Sequence, residues 1–80
     1  MTIIVYEMEC QPTLVEIVVN GVERQAPAGQ TLLGLVRELE LEPSRVAVEM
    51  DRRIVKRAEW EALELAPGAK LEIVQFVGGG

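Results

Sequence analysis

Apolar and polar residues alternate along three stretches of the chain, 14–19, 46–50 and 70–77, and this period of two predicts strands with one packed face. A β-branched run also follows the first stretch, at 22–26, after Asn20-Gly21. Because Asn-Gly between such runs favours positive φ at both central turn residues, we predict a hairpin with a type I′ turn.

A helical period appears once, at Leu32, Leu35, Val36 and Leu39, which follow the spacing i, i+3, i+4 and i+7. Thr31 stands where an N-cap belongs, so we predict one amphipathic helix. Gly34 lies inside that helix and is unfavourable there by about 1 kcal/mol relative to Ala. It marks either a close approach of the helix to the sheet or no special contact.

The remaining segments predict smaller elements. Asp51-Arg52-Arg53 is a turn, Ile54-Val55 a short return strand, residues 58–65 a single helical turn, and Pro67-Gly68 the turn before the last strand. The order is therefore strand, strand, helix, strand, short strand, strand.

The period of two also assigns residues to the two faces of the sheet. The face predicted to pack on the helix carries Val15, Ile17, Val19, Val46, Val48, Met50, Leu71 and Ile73. The opposite face carries Val18, Val74 and Phe76, more apolar surface than a solvated face needs, which suggests a partner-docking patch. The alternative is that the N-terminal residues cover it.

Composition limits the chain to one domain and narrows its partners. The 80 residues are 49% hydrophobic and carry a net charge of −5, which repels nucleic-acid phosphates and anionic lipid and favours a basic protein surface. The three aromatic residues are too few to fill an interior, so we expect an aliphatic core. The start lacks the features of a signal peptide, and no apolar run is long enough to span a membrane, so we expect a soluble cytoplasmic protein.

No constellation of side chains predicts a catalytic or metal site. The chain has no His and a single Cys, Cys10, without a CxxC partner, which predicts a free structural thiol rather than a participant in sulfur chemistry. Two groups of charged residues are interpreted as solvated: the basic cluster Arg52, Arg53, Lys56 and Arg57 and the acidic residues Glu38, Glu40 and Glu42. For the basic cluster, recognition of a partner is the alternative.

The last strand runs directly into Gly78, Gly79 and Gly80. Glycine lets another backbone approach closely, and residues 77–80 can extend about 13 Å, so the tail is predicted to enter another protein's active site. The reactive group would then be the terminal carboxylate of Gly80. A fraying terminus or an expression scar is the alternative.

With this element order and the ending Phe76-Val77-Gly78-Gly79-Gly80, the chain resembles the ThiS family of ubiquitin-like sulfur carriers of thiamin biosynthesis. The resemblance covers residues 14–80 and includes Val18-Val19-Asn20-Gly21, the segment 54–60 and Pro67-Gly68. It departs at Lys56, where the family often has Pro, at the turn Asp51-Arg52, and in the N-terminal residues. None of these departures touches the tail.

The resemblance implies an α+β fold, the β-grasp, in which a mixed sheet of four to five strands packs on one main helix with the first and last strands adjacent at its centre. The chain then divides into an extension at 1–13, a domain at 14–77 and a flexible tail at 78–80. The extension could add an edge strand, mediate dimerisation or stay mobile.

The resemblance also implies a function. A ThiF-like adenylyltransferase would couple AMP from ATP to the Gly80 carboxylate, and sulfur from a cysteine desulfurase or another persulfide donor would convert it to a thiocarboxylate for a ThiG-like thiazole synthase. The chain would be a carried co-substrate, neither an enzyme nor a holder of a bound cofactor. The alternatives are the molybdopterin synthase small subunit, a ubiquitin-like modifier and a plain interaction domain.

Overall fold

A computed structural model describes residues 13–76 of the chain. Over these residues, five strands form one mixed sheet in the order β2-β1-β5-β3-β4, and one α-helix packs on it. The elements are β1 Leu14–Val19, β2 Val22–Pro27, α1 Leu32–Glu38, β3 Val46–Met50, β4 Arg53–Val55 and β5 Lys70–Gln75, with short 3-10 turns at Pro43–Arg45 and Arg57–Glu59. The element order predicted from the sequence is confirmed.

Two tight turns of the same kind connect the antiparallel pairs. Asn20 and Gly21 have φ values of 51° and 82°, which confirms the type I′ hairpin between β1 and β2. Asp51 and Arg52 also have positive φ, 51° and 72°, and join β3 to β4. This second turn is one residue shorter than predicted, because Arg53 already pairs with Met50 as the first residue of β4.

Helix α1 begins where the sequence predicted. Thr31 is the N-cap, and its Oγ1 accepts a hydrogen bond of 3.1 Å from the backbone N–H of Gly34. A Cβ added at Gly34 would lie 3.3 Å from Thr31 Oγ1 and 3.4 Å from Gln30 Cγ. Gly34 therefore packs against the residues that precede its own helix, and the suggested close approach to the sheet is wrong.

The core lies between α1 and one face of the sheet. Of the eight residues predicted to face the helix, Val15 and Met50 are half-buried at the margin of the core. The other six are buried: Ile17, Val19, Val46, Val48, Leu71 and Ile73. The period of two thus identified the packed face correctly.

The expectation of a purely aliphatic interior is wrong at one position. Trp60 is 1% exposed and is the largest fully buried side chain in the described part of the chain. It follows the 3-10 turn Arg57–Glu59, which begins one residue before the predicted helical turn. The Trp60 carbonyl accepts a hydrogen bond from Leu33 N–H at the start of α1, so this segment is fixed to the helix.

Within residues 13–76, no helix is both long enough and apolar enough to cross a membrane. The extension assigned to 1–13 lies outside the described residues except for Thr13, and the tail at 78–80 lies wholly outside them. The division of the chain into these three parts stays a prediction.

Candidate functional site at the end of the last strand

Strand β5 occupies the centre of the sheet and leads to the C-terminal residues. On one side, β3 pairs antiparallel with it from Leu71 to Gln75. On the other side, β1 pairs parallel with it only at Lys70 and Leu71. The later residues of β5 therefore need a different partner on the β1 side.

The side chain of Asn20 is that partner. Its Oδ1 accepts a hydrogen bond of 2.7 Å from Ile73 N–H, and its Nδ2 donates one of 3.2 Å to the Ile73 carbonyl. The backbone N–H of Asn20 also donates to the Leu71 carbonyl at 2.8 Å. A side-chain amide thus extends the β1–β5 pairing past the end of β1.

Asp51 makes a similar contact from the other side of β5. Its Oδ1 accepts a hydrogen bond of 3.1 Å from Lys70 N–H, and its own N–H donates to the Lys70 carbonyl at 2.8 Å. Asn20 and Asp51 are each the first central residue of a type I′ turn. The two turns therefore hold β5 between them, and they fix the strand from which the C-terminal residues continue.

A further backbone hydrogen bond fixes the chain just past the C-terminal end of β5. Phe76 N–H donates a hydrogen bond of 2.7 Å to the Arg45 carbonyl, and Phe76 is 58% exposed. Gly78, Gly79 and Gly80 follow outside the described residues, so their roles in threading and modification stay predictions. Cys10 also lies outside them.

The structure brings together only part of the predicted docking patch. Val74 on β5 is 56% exposed, and Phe76 follows it by two residues, just past the end of the strand. Val18, by contrast, is half-buried and pairs with Lys70. Since Lys70 lies four residues before Val74 on the strand, Val18 is about 13 Å from Val74 and does not join Val74 and Phe76.

Val74 instead adjoins apolar residues of β3 and β4. It pairs directly with Ala47, and it lines a shallow depression together with Ala47 and Ile54. Ile54 is 80% exposed, the most of any large hydrophobic residue in the described part of the chain. We refer to Ala47, Ile54, Val74 and Phe76 as the tail-root patch. The sequence did not identify Ile54, because a three-residue strand is too short for alternation to assign its faces.

Two carboxylates border the tail-root patch. Glu49 and Glu72 lie directly opposite each other on β3 and β5, one step along the sheet from the Ala47–Val74 pair. Arg52 and Lys70 line a depression together with this carboxylate pair and Val74. Like charges in directly opposed positions destabilise a sheet, and the neighbouring cations Arg52 and Lys70 offset part of this repulsion.

The other charged side chains make contacts within the fold or are exposed to solvent. Arg57 Nε donates a hydrogen bond of 3.1 Å to the Pro43 carbonyl, and its guanidinium carbon lies 6.0 Å from the Trp60 ring centroid. Glu38 accepts a hydrogen bond from Gln30 Nε2, and Glu42 accepts one from Ser44 Oγ. Residues 13–76 contain no group of three or more Cys, His, Asp or Glu side chains that could hold a metal ion.

Solved structures of similar fold come from Geobacter metallireducens. The crystal structure of its thiamine biosynthesis protein ThiS has a TM-score of 0.71 at 23% sequence identity and covers 82% of this chain and 100% of that one. The NMR structure of a thiamine biosynthesis protein from the same organism has a TM-score of 0.67. At this identity the likeness establishes the fold, which is the ubiquitin-like β-grasp.

Two curated relatives are longer proteins. The thiazole synthases of Paramagnetospirillum magneticum and Magnetococcus marinus are each 40% identical to this chain over 65 residues. These residues are 81% of this chain but only 20% of each relative, so the chain spans about a fifth of the length of the curated relatives it matches.

The model of the ThiS family matches residues 13–80, which include the whole described sheet, the helix and the C-terminal glycines. Since the match covers most of the sequence and the fold agrees with it, this chain belongs to the ThiS family.

Proposed function

We propose that this chain is a sulfur carrier that supplies the sulfur for thiazole formation in thiamine biosynthesis. The observation that carries the proposal is the family match that continues through Gly80, five residues after a strand that lies in the centre of the sheet. In this proposal the chain is a co-substrate, and the enzymes that act on it supply the catalysis.

The chemistry begins with activation, because a carboxylate is a poor acceptor of nucleophiles. An oxygen of the Gly80 carboxylate attacks the α-phosphorus of ATP in a partner adenylyltransferase, which releases pyrophosphate and leaves an acyl-adenylate. The terminal sulfur of a persulfide then attacks the acyl carbon and expels AMP, which gives an acyl disulfide. A second thiol attacks the outer sulfur of this disulfide, so that a new disulfide and the Gly80 thiocarboxylate are formed.

The fold suits this role because it separates a rigid base from the reacting end. Hydrogen bonds with Asn20, Asp51 and Arg45 hold β5 and Phe76. The four residues after Phe76 can extend about 13 Å, enough to cross an active-site cleft. Side chains at Gly79 or Gly80 would widen the tail, so glycines suit a narrow channel.

The proposed partners are a ThiF-like adenylyltransferase, a cysteine desulfurase or another persulfide donor, and a ThiG-like thiazole synthase. Support for the last comes from the curated relatives, which are named thiazole synthases and contain a segment similar to this chain. ATP would be bound by the adenylyltransferase and not by this chain.

The variant Gly79→Val tests the threading argument. We expect ATP–pyrophosphate exchange by the ThiF-like adenylyltransferase of the same organism to fall at least 100-fold, because a branched side chain blocks the channel. The thermal unfolding midpoint should stay unchanged, since the residue comes four positions after the last residue of β5 in the sequence. Val77→Ile is the control, because it enlarges a residue that already has a side chain, and its exchange rate should stay within about threefold of the wild type. Undiminished exchange by Gly79→Val would contradict the threading argument.

A further inference from the structure

We propose that Asn20 is a site of spontaneous deamidation, and that replacing its side-chain amide by a carboxylate releases β5 from its contact on the β1 side. The inference rests on the contacts of Asn20 and Gly21 and does not depend on the proposed function. It concerns a chemical modification in which water is the only co-reactant.

The reaction takes place at the link between Asn20 and Gly21. The backbone nitrogen of Gly21 attacks Cγ of Asn20 and gives up its proton, and Nδ2 leaves with that proton as ammonia, so that a cyclic succinimide forms. Water then adds to one of the carbonyl carbons of the ring and breaks the bond from that carbon to the ring nitrogen. Opening at Cγ gives aspartate, and opening at the backbone carbonyl carbon gives isoaspartate. Nothing is oxidised or reduced.

The turn leaves the attacking nitrogen of Gly21 accessible. Gly21 is exposed and has no side chain to shield its nitrogen, and nothing lies within 4 Å of the position that a Cβ would occupy. Its N–H donates no backbone hydrogen bond within residues 13–76. Asparagine is a chemically labile residue, and Asn20 is the only one in the sequence. Deamidation of asparagine in this chain therefore has a single possible site.

The contact with Ile73 opposes the reaction in the folded chain. Both polar atoms of the Asn20 amide are engaged with the Ile73 backbone, Oδ1 as an acceptor at 2.7 Å and Nδ2 as a donor at 3.2 Å. Attack on Cγ requires the amide to turn toward the Gly21 nitrogen, and this rotation breaks both hydrogen bonds. Deamidation therefore proceeds when the contact opens, and its rate reports how often the β1 side of β5 is released.

The product does not restore the contact. An aspartate at position 20 can still accept from Ile73 N–H, but it has no hydrogen to donate to the Ile73 carbonyl, so two acceptors face each other. Isoaspartate adds a carbon to the main chain of the turn and displaces the side chain as well. Because β1 ends at Val19, Asn20 supplies the contacts to β5 beyond it on this side of the described sheet. Its modification thus loosens β5 at Ile73.

Asp51 provides the comparison within the same fold. It occupies the equivalent position of the second type I′ turn, and its side chain only accepts, from Lys70 N–H at 3.1 Å. A carboxylate is sufficient for that contact, whereas the contact of Asn20 uses both the acceptor and the donor of an amide. Asn20→Asp, which has the side chain of the aspartate product, and Asp51→Asn are therefore matched variants with different expected outcomes.

Amide hydrogen exchange of the full-length chain tests the consequence of the modification. We expect Ile73 N–H to exchange about fivefold faster in Asn20→Asp than in the wild type, because opening of the contact then breaks one hydrogen bond fewer. Lys70 N–H in Asp51→Asn should stay within about twofold of the wild type, because an amide oxygen replaces the carboxylate oxygen as the acceptor. Asp and Asn both suit a type I′ turn, so both variants keep their hairpins. Unchanged exchange of Ile73 in Asn20→Asp would overturn the proposed release of β5.

Mass spectrometry of the aged wild-type protein tests the modification itself. The chain is incubated at mildly alkaline pH, folded in buffer and unfolded in guanidinium chloride, and fragmentation locates any conversion of an amide to an acid. We expect conversion at Asn20, at least tenfold slower in the folded chain because the contact with Ile73 must open first. The deamidated fraction, separated by its additional negative charge, should show faster exchange of Ile73 N–H, as Asn20→Asp does. Absence of conversion at Asn20 in the unfolded chain would refute the site, and equal rates in both states would overturn the protection by Ile73.

Discussion

At the scale of single residues, Trp60 shows how one side chain can organise a segment without regular structure. Its ring is buried against an otherwise aliphatic core, and its Nε1 donates a hydrogen bond of 3.0 Å to the Val55 carbonyl. The sequence did not assign it to the core, because residues 57–65 show neither a helical nor a strand period. Its burial depends on tertiary contacts with β4 and α1 that no local pattern contains.

We predict that Trp60→Phe lowers the free energy of unfolding by about 1–3 kcal/mol, because it leaves the buried Val55 carbonyl without its donor and opens a small cavity. Phe76→Leu is the control, since Phe76 is exposed, and it should change that free energy by less than about 0.5 kcal/mol. Urea denaturation measures both. Equal effects of the two substitutions would contradict the structural role given to Trp60.

At the scale of elements, the decisive arrangement is the last strand held between two turns. The sequence predicted the strands, the helix with its N-cap, and the Asn20-Gly21 turn, because alternation, helical spacing and turn residues are local signals. It could not predict the contact of Asn20 with Ile73, because the two are separated by 53 positions and meet only once β1 and β5 are adjacent.

The lack of long-range information in the sequence also explains why the docking patch was predicted incorrectly in part. Which apolar residues of an open sheet face lie together depends on the register between strands, and alternation alone does not give the register. Val18 was grouped with Val74 because both face away from the helix, but the β1–β5 register places Val18 beside Lys70. The β3–β5 register brings Ala47 to Val74 instead.

We predict that Asn20→Gly lowers the free energy of unfolding by about 1–3 kcal/mol, since two side-chain hydrogen bonds to Ile73 are lost while glycine keeps the positive φ. Asp51→Gly removes a single side-chain bond at the equivalent turn position, so its effect should be smaller. Amide hydrogen exchange adds a local readout: Ile73 N–H should exchange faster in Asn20→Gly alone. Unchanged protection of Ile73 in that variant would contradict the contact.

At the scale of the whole molecule, the two faces of the sheet and the end of its last strand have different roles. One face of the sheet buries the core under α1, the open face carries the tail-root patch and the carboxylate pair, and β5 leads from the centre to the glycines. The glycine tail could be predicted as a candidate site from the sequence, because its composition and position are visible without a structure. Its chemistry is not visible in this chain, because the proposed catalytic groups belong to the enzymes that receive it.

The intact mass of the protein tests the proposal of a sulfur carrier most directly. It should be measured after incubation with the ThiF-like adenylyltransferase, ATP, a persulfide donor and a thiol reductant, with fragmentation to locate any change. We predict the increment of one sulfur replacing one oxygen, located at Gly80 and absent when ATP is omitted. An unmodified terminus, under conditions in which the same enzymes modify an established carrier, would contradict the account.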